Sequence, residues 1–173
     1  GKPLSEQDRR TTEALAKRYR IAIDNRLDHL VLKALLKRAD IIPVSLALAQ
    51  AANESAWGTT RFAKTGNNFF GIWCFRESCG MVPTRRNEEA RHEVARFNSV
   101  AHGAAYYLLN LNRHPAYQEL RDIREVKRKH NAPLKGMDLA PGLVSYSERA
   151  EAYTEEIQAM IRINKLEDYA RIN

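Results

Sequence analysis

Cysteine is scarce in this sequence, with only Cys74 and Cys79 among 173 residues. No second cysteine pair accompanies them and the five histidines are scattered, so the ligand spacing of a zinc site is missing. Long hydrophobic runs are missing too. The longest nearly apolar stretch, Ile41 to Ala52, already contains Ser45 and Gln50 and falls well short of the ~20 residues a membrane span needs. Internal repeats and low-complexity segments are absent as well, which leaves one unrepeated domain over residues 1–173.

What remains is ordinary globular material. Hydrophobic residues make up 44% and charged residues 28%, which excludes disorder and collagen-like repetition. A chain of this length hides roughly 70% of its unfolded surface, enough for a core without a metal or disulfide framework. The formal charge is 28 − 21 = +7. A basic surface suits a polyanion such as nucleic acid, anionic lipid or an anionic glycan wall. The densest basic groups, Arg85-Arg86 and Arg121 to Lys129, are broken by acids or spread along helices, the pattern of a solvated face rather than a nucleic-acid interface. Cys74 and Cys79 have four residues between them. A local disulfide fits that spacing better than two reduced thiols; it would stabilise the fold by roughly 2 kcal/mol and persist only in an oxidising compartment. No signal peptide precedes Gly1, so an exported protein would have been trimmed or expressed as a fragment.

Ser5 reads as an N-cap for a helix over Glu6 to Arg20, and Leu27, Leu30, Val31, Ala34 and Leu35 mark a second from about Arg26 to Lys37. The helix pair either guards a site or extends the core. Pro43 suits the first position of a third helix reaching about Ser55. Its apolar residues surround nearly the whole circumference, which predicts burial on all sides, with Gly58 as its terminator. One or two helical turns follow over Thr59 to Lys64, then a turn at Thr65 to Asn68. Segments Gly80 to Thr84 and His92 to Phe97 read as a small β-hairpin. Further helices are expected from Ser99 to about Asn112, from Pro115 to Lys129, and behind Ser147, with an irregular stretch around Pro133 to Gly142. The class is mainly α, with a small β element.

Glu54 closes the apolar third helix. Partial burial and the negative end of the helix dipole both raise the pKa of a carboxyl there, which describes a general acid held protonated near neutral pH. The plainer alternative, of equal weight on position alone, is a carboxylate swinging into solvent at a frayed end. Trp57, Asn67, Asn68, Phe69, Phe70 and Trp73 follow within twenty residues. Each ring singly belongs in a core. As a group beside an acid, rings and amides suit the C–H faces and polar groups of a sugar.

The run Ile41-Ile42-Pro43, "ALAQAANESAWGTTRFA" (Ala47 to Ala63), "GNNFFGIWC" (Gly66 to Cys74), "YYLLNLNRHPAY" (Tyr106 to Tyr117) and "GLVSYSERAEAY" (Gly142 to Tyr153) resembles the Bax-type branch of bacterial N-acetylglucosaminidases, glycoside hydrolase family 73. The resemblance implies a lysozyme-like fold, with a helical lobe and a small β-lobe (about 66–98) flanking a groove. It also implies hydrolysis of the β-1,4 bond from N-acetylglucosamine to N-acetylmuramic acid in peptidoglycan. Glu54 matches the family's general acid, and Tyr146 matches a tyrosine that approaches the reacting sugar. Without the resemblance Tyr146 would read as an ordinary amphipathic residue before a helix. Asn68 and Phe70 match the loop flooring the groove, and Trp73 follows closely enough to face sugar. Tyr107 matches a recurrent tyrosine, though on a helix it can equally be core. The family places a second carboxylate in the β-lobe; of Glu88, Glu89 and Glu93 the strand residue Glu93 is favoured. The sugar's own 2-acetamido group is the other route, with Glu54 and Tyr146 sufficing. Glycoside hydrolysis of this kind needs no metal or cofactor. The partners expected are glycan strands, with no nucleic acid and no membrane span, for a monomer in the periplasm or outside the cell. A lytic transglycosylase and a non-catalytic wall-binding module are the alternatives.

Overall fold

Ser5 caps the first helix as its position implies: its hydroxyl oxygen accepts a hydrogen bond from the Asp8 N–H at 3.1 Å, opening α1 (Glu6–Arg18). The computed structural model describes residues 4–24, 29–83 and 92–171. The start expected for the second helix at Arg26 falls outside these, and α2 runs His29–Arg38. Ala16, Val31 and Leu35 form a small core of their own between α1 and α2.

The third helix, α3 (Val44–Ser55), begins one residue later than expected, because Pro43 keeps an extended ψ of 137° and caps the helix instead of entering it. Burial around α3 also differs from the all-round pattern. Leu46 and Ala49 are fully buried, but so are the polar Ser45 and Gln50, whereas Val44 and Leu48 remain 43% and 39% exposed. Hydrogen bonding explains the exchange. Ser45 Oγ accepts from the Gly136 N–H at 3.2 Å and Gln50 is engaged at both ends of its amide, so each polar group is satisfied inside. The chain turns at Ala56, two residues before Gly58, and Ala56, Trp57 and Gly58 all hold left-handed φ values of 48°, 57° and 77°. Thr60 then caps α4 (Arg61–Gly66).

The sheet has three short strands, β1 (Trp73–Cys74), β2 (Gly80–Met81) and β3 (Glu93–Ala95), in the order β1-β3-β2 and antiparallel throughout. The expected hairpin is the β2–β3 pair in shortened form; β1, paired Trp73 to Val94 and Cys74 to Glu93, is an addition that the sequence reading omitted. Gly80 is required here, since a Cβ would lie 2.1 Å from the Val94 carbonyl oxygen.

Ser99 caps α5 (Val100–Arg113). A 3-10 turn (Pro115–Tyr117) leads into α6 (Gln118–Lys129), followed by α7 (Gly136–Leu139), a 3-10 segment (Ala140–Tyr146), α8 (Ala150–Ile163) and a last 3-10 segment (Leu166–Arg171). Leu46, Leu111, Leu120, Leu143, Ile157 and Ile161 centre the main core on α3, α5, α6 and α8. The α1–α2 pair joins this body through arginine. Arg124, 1% exposed, donates to the carbonyls of Lys37, Asp40 and Ile41 at 2.9, 3.2 and 2.9 Å and to Asn112 Oδ1 at 2.7 Å. Burial pushes its pKa down to about 10 despite the opposing charge of Asp40. Among the described residues no helix is long and apolar enough to cross a membrane.

Candidate active site

Between the helical body and the sheet lies a groove of about 1210 Å³. Glu54 faces it from the penultimate position of α3, where a carboxylate meets the helix's negative end. Burial raises its pKa, and a hydrogen bond from Tyr153 and the charge of Arg149 oppose that rise without cancelling it.

A directional chain of hydrogen bonds holds the Glu54 carboxyl. The Tyr107 hydroxyl donates to Gln50 Oε1, Gln50 Nε2 donates at 2.9 Å to the Tyr153 oxygen, and the Tyr153 hydroxyl therefore donates onward to Glu54 Oε1 at 2.8 Å. Oε1 is thus an acceptor, and the carboxyl takes a second side-chain hydrogen bond from Asn53. Oε2 lies beside Gly71, where a Cβ would sit 3.1 Å from it and the backbone has φ 61°. Glycine lets the loop pass over the acid without covering it. Tyr153 is held against Tyr146 (centroids 5.6 Å apart, rings 6° from parallel), and the Tyr146 hydroxyl donates to the Phe70 carbonyl at 2.7 Å. Burial pushes both phenols upward, so they stay protonated.

Of the residues singled out from the sequence, Glu54, Tyr146, Phe70 and Trp73 meet in the groove, as do Cys74 and Cys79. Cys74 and Cys79 form a disulfide at the base of β1. Trp73 is 52% exposed and stacks on His92 at 3.9 Å. Trp57, Asn67 and Phe69 do not line the groove, and neither do three others. Asn68 is buried under the floor: its Nδ2 donates to the Ile72 and Ala95 carbonyls, both at 2.9 Å, and its Oδ1 accepts from the Phe70 and Ile72 N–H groups. An amide so engaged has no group left for a sugar. Tyr107 is fully buried, stacked on Phe70 and committed to Gln50. Glu93 is also buried and does not line the groove; its two oxygens accept from the Ser78 and Gly80 N–H groups at 3.1 and 2.7 Å, which makes it an anchor of the disulfide loop. Glu88 and Glu89 lie outside the described residues.

Sequence reasoning missed Phe75, 76% exposed on the groove, although it stands two residues beyond Trp73 on extended chain and so shares its side. It also missed Glu148 at the rim and the role of Tyr153. The Cys74 and Cys79 sulfurs and the Glu93 carboxylate lie within 4.8 Å of one another. The sulfurs are bonded together and the carboxylate holds backbone, so this cluster does not fit a metal.

A helix-end acid at the seam between a helical body and a small sheet defines the lysozyme-like class. Residues 31–166 match the glucosaminidase family, described as mannosyl-glycoprotein endo-beta-N-acetylglucosaminidase, and the chain belongs to that family of enzymes. It is 32% identical over 161 residues to Protein bax of Escherichia coli, covering 93% of this chain and 57% of that protein. The chain thus spans little more than half the length of this curated relative. In fold it is similar to the catalytic domain of the autolysin Auto from Listeria monocytogenes, with a TM-score of 0.55 and 18% identity over 97% of this chain and 99% of the other.

Proposed function

We propose that this chain hydrolyses the β-1,4 bond between N-acetylglucosamine and N-acetylmuramic acid in peptidoglycan, with Glu54 as general acid. The observation that carries the reading is the half-buried carboxyl whose Oε1 is held by Tyr153 and whose Oε2 lies beside Gly71, both residues lining the groove. Family membership and the fold shared with an autolysin support the substrate class.

With Glu93 bound to backbone, the 2-acetamido route asks least of the chain. Glu54 gives its proton to the bridging oxygen as the C1–O bond breaks, while the acetamido oxygen of the same sugar bonds to C1 and forms an oxazolinium ring. Water then attacks C1, its proton passes to the Glu54 carboxylate, and the ring reopens to the acetamide. The enzyme ends protonated as it began, and the anomeric configuration is retained. The Tyr146 oxygen, its own proton held by Phe70, accepts the acetamido N–H. Trp73 and Phe75 offer flat apolar faces for neighbouring sugars.

Digestion of purified sacculi tests this. Wild-type protein yields reducing N-acetylglucosamine ends with a β anomer seen first by NMR, and Glu54→Gln yields none. Anhydro-muramic products would make the chain a transglycosylase instead, an α anomer would replace the acetamido route with an inverting one, and binding without release would leave a wall-binding module. A disulfide on the groove and a wall substrate support the periplasm or the outside of the cell as the working compartment, and a monomer as the working form is part of the same proposal.

A further inference from the structure

Besides the acid and its aromatic wall, the groove is lined by a group of donors. Tyr106 and Asn110 line it from one face of α5, His114 from the extended residue that caps that helix, and Arg20 from just beyond the end of α1. His114 Nδ1 accepts from the Ala116 N–H at 3.3 Å, so the ring presents Nε2–H. Among the described residues the carboxylates lining the groove are Glu54 and Glu148, both on other segments, and the Arg20 guanidinium and the Asn110 amide make no hydrogen bond or ion pair.

Arg20 is also held at a conformational cost. Its φ of 56° is left-handed, in the position after a helix that glycine usually occupies. The Ile21 N–H bonds to the Ala16 carbonyl at 2.8 Å and the Arg20 N–H to the Lys17 carbonyl at 3.2 Å. Arg38 Nη1 clamps the Arg20 carbonyl at 2.8 Å, and Arg113 Nη1 reaches the Arg18 carbonyl, tying this turn to α5. An arginine where glycine would be cheaper, over-determined by its surroundings and left without a partner on a substrate groove, points to a ligand. Arg20 lies upstream of residues 31–166, the part matched by the family.

We infer that Arg20, with Asn110 and His114, forms a carboxylate-binding subsite that reads the acidic substituent of muramic acid, which rests on the peptidoglycan reading above. A guanidinium with neighbouring neutral donors matches a carboxylate and gives nothing comparable to a bare N-acetylglucosamine unit. Two sources carry that chemistry: the lactyl carboxylate of peptide-free strands, and the carboxylates of the stem peptide.

Binding of soluble fragments by calorimetry, in the Glu54→Gln background so that nothing is cleaved, separates the cases. Arg20→Gln is expected to weaken binding of carboxylate-bearing muramic fragments about tenfold, the scale of one charge-assisted hydrogen bond, and to leave N-acetylglucosamine oligomers and carboxyl-amidated fragments unchanged. Arg20→Lys keeps part of the difference. Loss on peptide-free fragments identifies the lactyl group; loss only on peptide-bearing ones identifies the stem peptide. Arg20→Gly controls for folding, because glycine relieves the left-handed strain: it should match Arg20→Gln in affinity while melting at or above the unsubstituted chain. Equal loss on charged and uncharged fragments, or no loss on either, overturns the subsite and leaves the hydrolase reading intact. Absence of binding to every muramic fragment before Arg20 is changed would remove both.

Discussion

The helical body and the sheet lobe face each other across the groove, yet they are held by different forces. In the body, Leu46, Leu111, Leu120, Leu143, Ile157 and Ile161 pack against one another at 1% exposure or less. In the sheet lobe the three strands are two or three residues long, and Ile72, Ala95 and Phe97 reach across into the main core instead of building a separate one. Further order there comes from polar and covalent anchors: Asn68 bonded to four backbone groups, Asn67 Nδ2 donating to the Phe97 carbonyl, Glu93 gripping the Ser78 and Gly80 N–H groups, and the Cys74–Cys79 disulfide. The acid stands on the side built by close packing, where its position is most rigid. The exposed rings of Trp73 and Phe75 stand on the side built by discrete tethers, which can be loosened one at a time.

The sharpest test of that division is Glu54→Gln. Hydrolysis should fall by at least about 10²-fold, with the circular dichroism spectrum unchanged. Because burial raises the Glu54 pKa in the folded chain, its ionisation opposes folding: the favourable contribution is complete below the unfolded value and is lost as pH rises through the folded one. The Gln variant should therefore melt at or above wild type near neutrality, and the two should converge below about pH 4. Wild-type activity should decline on the alkaline side as the same group ionises. A melting point for Glu54→Gln below wild type at neutral pH would contradict the assigned direction.

Leu143→Ala comes next. It opens a cavity in the packed body and should cost about 2–5 kcal/mol of global stability in urea unfolding. Asn68→Ala should cost somewhat less, about 3 kcal/mol, because it strands buried backbone groups on a single loop. Hydrogen exchange distinguishes them. The Leu143 variant should speed exchange throughout, whereas the Asn68 variant should speed it in 66–83 and 92–97 while α8 stays protected. Uniform exchange in both would erase the contrast between lobes. Cys74→Ser with Cys79→Ser should have the smallest effect, about 2 kcal/mol by loop-closure entropy, and should weaken binding of N-acetylglucosamine oligomers more than it alters the melting of the body.

The helices were readable because their signals are local. Ser5 and Ser99 cap where their spacing to the next turn implies, and α5, α6 and α8 follow apolar periodicity. The acid at the end of α3 and the disulfide follow from residues close in sequence. Other features depend on partners that sequence spacing does not reveal. Asn68 resembled a sugar-binding amide but completes backbone hydrogen bonds 4 and 27 residues away. Glu93 had the strand position of a catalytic carboxylate, yet its oxygens lie within reach of two unpaired N–H groups of the disulfide loop. Two polar residues on an apolar-looking helix, Ser45 and Gln50, went inside because hydrogen-bond partners were waiting there, and two leucine-like residues, Val44 and Leu48, stayed outside.

From the sequence alone came the helical class, the basic surface, the covalent loop and the candidate acid, since each depends on neighbours within a few residues along the chain. Only the tertiary structure decided how the Glu54 carboxyl is held, with Oε1 as an acceptor. That depends on Tyr153, 99 residues away, and on the direction in which Tyr107 and Gln50 pass their hydrogen bonds. A hydrogen bond needs two groups within about 3 Å, and only folding brings such distant residues that close.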